Sequence, residues 1–86
     1  MINQTDNNVA WTLLMDELDD AKEYLTDLTN QMATTGRIDE GDFARHLGHV
    51  YAHLNRAWHG RNRACESTDE QRAQFTQFPK DLSPVG

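Results

Sequence analysis

The stretch from Trp11 to Met32, WTLLMDELDDAKEYLTDLTNQM, decides how this chain folds. Trp11, Leu14, Leu18, Ala21, Leu25, Leu28 and Met32 recur in it at alternating intervals of three and four, which sets all seven on one stripe of a helix. Neither glycine nor proline occurs between Asn8 and Thr34, and Thr5, Asp6 or Asn7 can cap the first free amides. The spacing therefore predicts a helix over about 8–34. Gly36 marks its end, because glycine best tolerates the left-handed conformation that follows a helix.

A second helix begins almost at once. Asp39 reads as its N-cap with Asp42 three positions on, and Ile38 and Phe43 have the spacing of a hydrophobic staple. Phe43, Leu47, Val50, Leu54 and Ala57 repeat the periodicity, Arg61 and Ala64 continue its phase, and the predicted helix covers about 40–65. A connection as short as Thr35 to Ile38 makes the two helices antiparallel neighbours. Ala44, Tyr51 and Trp58 add a second row, so this face is wider than one partner helix covers. A second copy or the chain's own C-terminal segment must cover the rest. Ser67 and Glu70 have capping-box spacing and open a short helix over about 68–76; Phe75, Phe78 and Leu82 are its possible anchors, and 79–86 reads as a loose tail.

The expected fold is all-α: residues 1–86 form a single helical domain, a long antiparallel helical hairpin with a short C-terminal helix or tail, pairing into a dimeric four-helix bundle. A chain of 86 residues buries only about 60 to 65% of its unfolded surface, which leaves a thin core and favours self-association. Trp11, Tyr24, Tyr51 and Trp58 are the expected interface residues, since large aromatics are enriched where subunits meet.

The net charge is −6, unevenly spread: acidic residues dominate up to Gly36, with Lys22 the only base there, while Arg37, Arg45, Arg56, Arg61 and Arg63 make the middle basic. The acidic total disfavours nucleic acid and suits a basic protein partner. No apolar run approaches the roughly 18 residues of a membrane span. Met1 to Asn8 carry no readable secretory or lipidation signal, so a cytoplasmic location is expected. Cys65, the only cysteine, excludes an internal disulfide, and Glu66 and Asp69 offset the arginines that would activate it; it reads as a spectator.

Two constellations bear on chemistry. Asp42, His46, His49 and His53 fall at intervals of four, three and four on one side of the second helix, where imidazoles and a carboxylate could meet a metal ion. Against this, no second ligand set such as Glu-x-x-His is present, and the histidines flank or leave the apolar seam. Asp16, Asp20, Glu23 and Asp27 form a second such series, but they lie opposite the apolar stripe and are expected to face water. His59, Arg56, Arg61 and Arg63 gather near the end of the second helix, where cations favour the helix dipole.

Asp16-Glu17-Leu18-Asp19-Asp20, followed by Tyr24-Leu25, is similar to one acidic helix motif of the all-α nucleoside triphosphate pyrophosphohydrolases of the MazG type. The resemblance covers about ten residues. It implies a magnesium-dependent nucleotide hydrolase in which Glu17 and Asp20 turn inward, but the paired Glu-x-x-Glu-like motif of that family is not found before Trp11. No phosphate-binding glycine loop, activated nucleophile or zinc-type cysteine pair occurs either. The expected function is a noncatalytic interaction or regulatory protein acting as a homodimer, with no cofactor; a metal-binding bundle and a nucleotide pyrophosphohydrolase are the alternatives.

Overall fold

The computed structural model describes residues 2–61 and 69–86. Helix α1 runs Asn8–Thr35, α2 Glu40–Gly60 and α3 Asp69–Phe75, and no strand occurs among the described residues. The 28 residues of α1 span about 42 Å at 1.5 Å per residue, close to the 45 Å long axis of the molecule.

Local chemistry fixes the helix ends. Asn7 is the cap of α1, its side-chain oxygen accepting from the amide of Ala10 at 3.1 Å. Gly36 closes the helix at φ 68°, in the left-handed region, and donates its N–H to the carbonyl of Met32 at 2.8 Å. Three residues later the Asp39 carboxylate accepts from the amides of Gly41 and Asp42, while Ile38 and Phe43 are both half-buried beside the turn. Regular α2 ends at Gly60; residues 62–68, with the expected end of the helix near 65, Cys65 and the Ser67 cap, lie outside the described residues.

The helices α1 and α2 pack against each other as an antiparallel hairpin, but not stripe to stripe. The buried or half-buried residues of α1 are Ala10, Trp11, Leu13, Leu14, Glu17, Ala21, Tyr24 and Leu28, most of them on the phase of Leu14, Ala21 and Leu28, and the inward residues of α2 include Phe43, His46, Val50, His53 and Ala57. Each helix is thus turned by about 50° from the phase that its large apolar residues alone would choose. Small side chains favour the turn: Ala10, Ala21 and Ala57 are each 5% exposed or less, and beside Leu28 they fill a seam that needs less room than a full row of leucines. Leu18, Leu25 and Met32 of α1 and Leu47 and Leu54 of α2, expected within the apolar seam, lie exposed instead.

The C-terminal segment returns over α2. Asn55, buried in α2, donates its side-chain amide to the carbonyl of Thr76 at 2.8 Å, and the Phe75 ring stacks on His59 at 5.0 Å between centroids. Pro79 is fully buried, and the indole N–H of Trp58 donates to Asp81 at 2.9 Å. Residues 79–81, read from the sequence as the start of a loose tail, are therefore held; every residue from Leu82 onward is exposed. Phe78 lies beside Tyr51 with ring centroids 6.5 Å apart. The segment covers part of the Tyr51 and Trp58 row and leaves the leucines open.

Candidate functional site

The rotated seam gives the hairpin two unlike faces. On one, helical phase gathers the polar residues that α1 and α2 turn toward each other. Glu17 enters the seam, where Arg56 Nε donates to both its carboxylate oxygens at 3.1 and 3.2 Å. His53 Nδ1 lies 2.7 Å from Glu17 Oε2 and 2.8 Å from Arg56 Nη2. One nitrogen serves one of these neighbours at a time: carrying a proton it donates to Glu17, and without one it accepts from Arg56. The three side chains are only 13 to 20% exposed, so each depends on the others for hydrogen bonds that water cannot fully supply.

Tyr24 lies flat on His49, ring centroids 4.4 Å apart and planes 4° from parallel, and 5.6 Å from His53. In front of Tyr24 and His53 opens a cavity of about 400 Å³ whose other walls are Asp20, Glu23 and Asp27. These three carboxylates and Asp16 are all exposed, as their phase requires.

The helix 2 histidines do not converge. The His46 ring Nδ1 sits 2.8 Å from the carbonyl of Asp42, one turn back on its own helix, and the Asp42 carboxylate faces Arg45 at 3.4 Å. His49 and His53 both lie beside Tyr24, but His53 Nδ1 is turned to Glu17, and Asp42 and His46 have partners on their own helix, so the four side chains do not share one point. Among the described residues no three His, Cys, Asp or Glu side chains stand where one metal ion could bind all of them. Of the two carboxylates that the pyrophosphohydrolase resemblance needs turned inward, Glu17 is inward but bonded to Arg56 and His53, and Asp20 is exposed.

The other face is apolar. Leu18, Leu25, Leu47, Tyr51 and Leu54 are 40 to 49% exposed, and Met32 extends the row at 39%. Leu14 and Leu18 of α1 share the wall of a cavity of about 340 Å³ with Leu54, Ala57 and Trp58 of α2, and Ile2, Arg61 and Leu82 complete the lining. A further groove follows Leu47, Val50, Tyr51 and Leu54 along α2. No family model, curated protein or solved structure matches this chain. The two faces must carry the functional argument by themselves.

Of the four aromatics expected at an interface, Tyr51 and Trp58 line the apolar face, and Trp11 has the helical phase of Leu18. Trp58 is half-buried, with the Arg61 guanidinium 3.8 Å above its ring and Asp81 at its indole N–H. Tyr24 belongs to the polar face. The Glu17, His53 and Arg56 cluster is the feature that the reading of the sequence missed. Its signal was present, because Leu14, Glu17, Ala21, Tyr24 and Leu28 also recur at intervals of three and four, a second phase parallel to the leucine stripe. No described helix is long and apolar enough to cross a membrane.

Proposed function

We propose that this chain is a noncatalytic interaction protein that acts as a homodimer, two hairpins closing into a four-helix bundle over their leucine faces. One observation carries the reading: the apolar stripes of α1 and α2 lean toward the same side of the hairpin and stay open there. A self-sufficient hairpin would aim both stripes at its own seam. Half of a four-helix bundle aims them at the bundle axis, which lies to one side of the seam, and fills the seam with smaller or polar residues.

The area supports a second copy as the cover. Taking about 200 Å² for a fully exposed large side chain, the open parts of Leu18, Leu25, Met32, Leu47, Tyr51 and Leu54 amount to roughly 500 Å² per chain, or 1,000 Å² for a pair, the lower bound for a specific interface. A patch of that size matches the largest apolar patch of a typical monomer, which is often a functional surface. The exposed Asp16, Asp20, Glu23 and Asp27 would remain outside the bundle, available to a basic partner protein.

Sedimentation equilibrium of wild type, Leu25→Asp and Leu54→Asp tests the reading. Wild type is expected to be a dimer and both variants helical monomers, because each leucine is already half exposed within its own chain. A wild-type protein that sediments as a monomer at tens of micromolar defeats the proposal. Metal content of the same untagged sample completes the test: stoichiometric zinc, iron or manganese that disappears on changing His46, His49 and His53 to glutamine would replace this reading with a metal-binding bundle.

A further inference from the structure

The leucine face has a symmetry of its own. Across the seam Glu17 meets His53 and Tyr24 meets His49, which sets Leu18 level with Leu54 and Leu25 level with Leu47. The four leucines mark out a rectangle, seven residues or about 10 Å along the helices and one interhelix spacing, about 8 to 10 Å, across them. Such a rectangle superposes on itself under either of two dyads lying in the plane of the face. A dyad perpendicular to the helices would lay α1 on α1 and α2 on α2. A dyad parallel to them would lay α1 of each copy on α2 of the other.

Charge separates the two arrangements. Lys22 has the phase of the leucine face and stands midway between Leu18 and Leu25, at the level where the perpendicular dyad would cross. That arrangement sets Lys22 against its own copy. The parallel dyad sets Lys22 opposite Tyr51, which occupies the equivalent level and phase on α2 and is 49% exposed. An ammonium over a tyrosine ring is favourable.

We infer that the second copy docks by a dyad running along the helices, α1 of each chain lying antiparallel on α2 of the other with Lys22 over Tyr51 of the second copy. This rests on the homodimer reading above and adds the arrangement to it. The contact is isologous and closes on itself, so the assembly stops at two.

Disulfide trapping in a Cys65→Ser background tests the arrangement. Within one hairpin Lys22 and Tyr51 point the same way from neighbouring helices about 8 to 10 Å apart, beyond the ~7 Å Cα separation that a disulfide spans, so any bond between them joins two chains. Oxidised Lys22→Cys/Tyr51→Cys protein is expected to run as a covalent dimer, and each single variant as a monomer. Thr29→Cys/Ala44→Cys, one heptad further along each helix, is a second pair in the same relation and covers the case in which changing Lys22 and Tyr51 weakens association. A covalent dimer from Lys22→Cys alone would place α1 on α1 and overturn the inference while leaving the homodimer standing. Failure of both double variants to cross-link, with a dimeric wild type, has the same meaning. A monomeric wild type removes both readings.

Discussion

Replacing Glu17 with methionine keeps most of the side chain's length and removes the carboxylate that Arg56 and His53 share. Arg56 Nε then loses acceptors at 3.1 and 3.2 Å, and its side chain, 15% exposed, has limited access to water in their place. Stranding one member of a fully buried ion pair costs about 3 to 5 kcal/mol. The residual exposure of this pair, and the freedom of a long arginine to slide toward solvent, reduce the expected loss to about 2 kcal/mol. For a chain of this size that corresponds to a fall in Tm of roughly 10 °C. Adding Arg56→Met to Glu17→Met removes the stranded charge and should recover most of the loss, giving a coupling of at least about 1.5 kcal/mol in the double-mutant cycle. Urea denaturation followed by circular dichroism measures it, at one fixed protein concentration because association shifts the midpoint. If Glu17→Met costs under about 0.5 kcal/mol, or if the two substitutions are simply additive, the cluster does not hold the seam and the reasoning is refuted.

Two further outcomes follow from the ends of the hairpin. The Asp81 carboxyl is held below the usual aspartate range, chiefly by the indole N–H of Trp58, with Arg61 and His59 adding to the effect. A carboxyl depressed in the folded state stabilises it above the unfolded value of about 3.9 and loses that contribution as pH falls through the lower folded value, so Trp58 emission in a Trp11→Phe background should hold steady from neutral pH to about 5 and change below about 4. Asp81→Ala should show the altered emission already at neutral pH; an unchanged spectrum there would mean that the contact does not persist in solution. Gly36 and Gly48 both have open space around a built Cβ, yet only Gly36 has a positive φ, so Gly36→Ala should cost about 1 kcal/mol and Gly48→Ala should stabilise α2 by about 0.5 to 1 kcal/mol in thermal melts. Equal effects of the two alanines would contradict the backbone argument.

What the sequence determined by itself is local. The extent of α1, its left-handed stop at Gly36 and the Asp39 cap all depend on residues within about one helical turn of one another, and such interactions leave their pattern in a single stretch of chain. The phase at which the helices meet is of another kind. α1 contains two overlapping series at three and four, one running through Leu18 and Leu25 and the other through Glu17 and Tyr24, and nothing within α1 chooses between them. The tertiary structure chose the second, because His53 and Arg56, 36 and 39 positions away, satisfy a carboxylate that would otherwise lose its water, and because the small Ala10, Ala21 and Ala57 are buried on that phase. That selection turned the leucines out onto one face and drew the polar residues into the seam. A helix can specify its own axis and ends, but the direction of its contact depends on side chains that only the folded chain brings alongside.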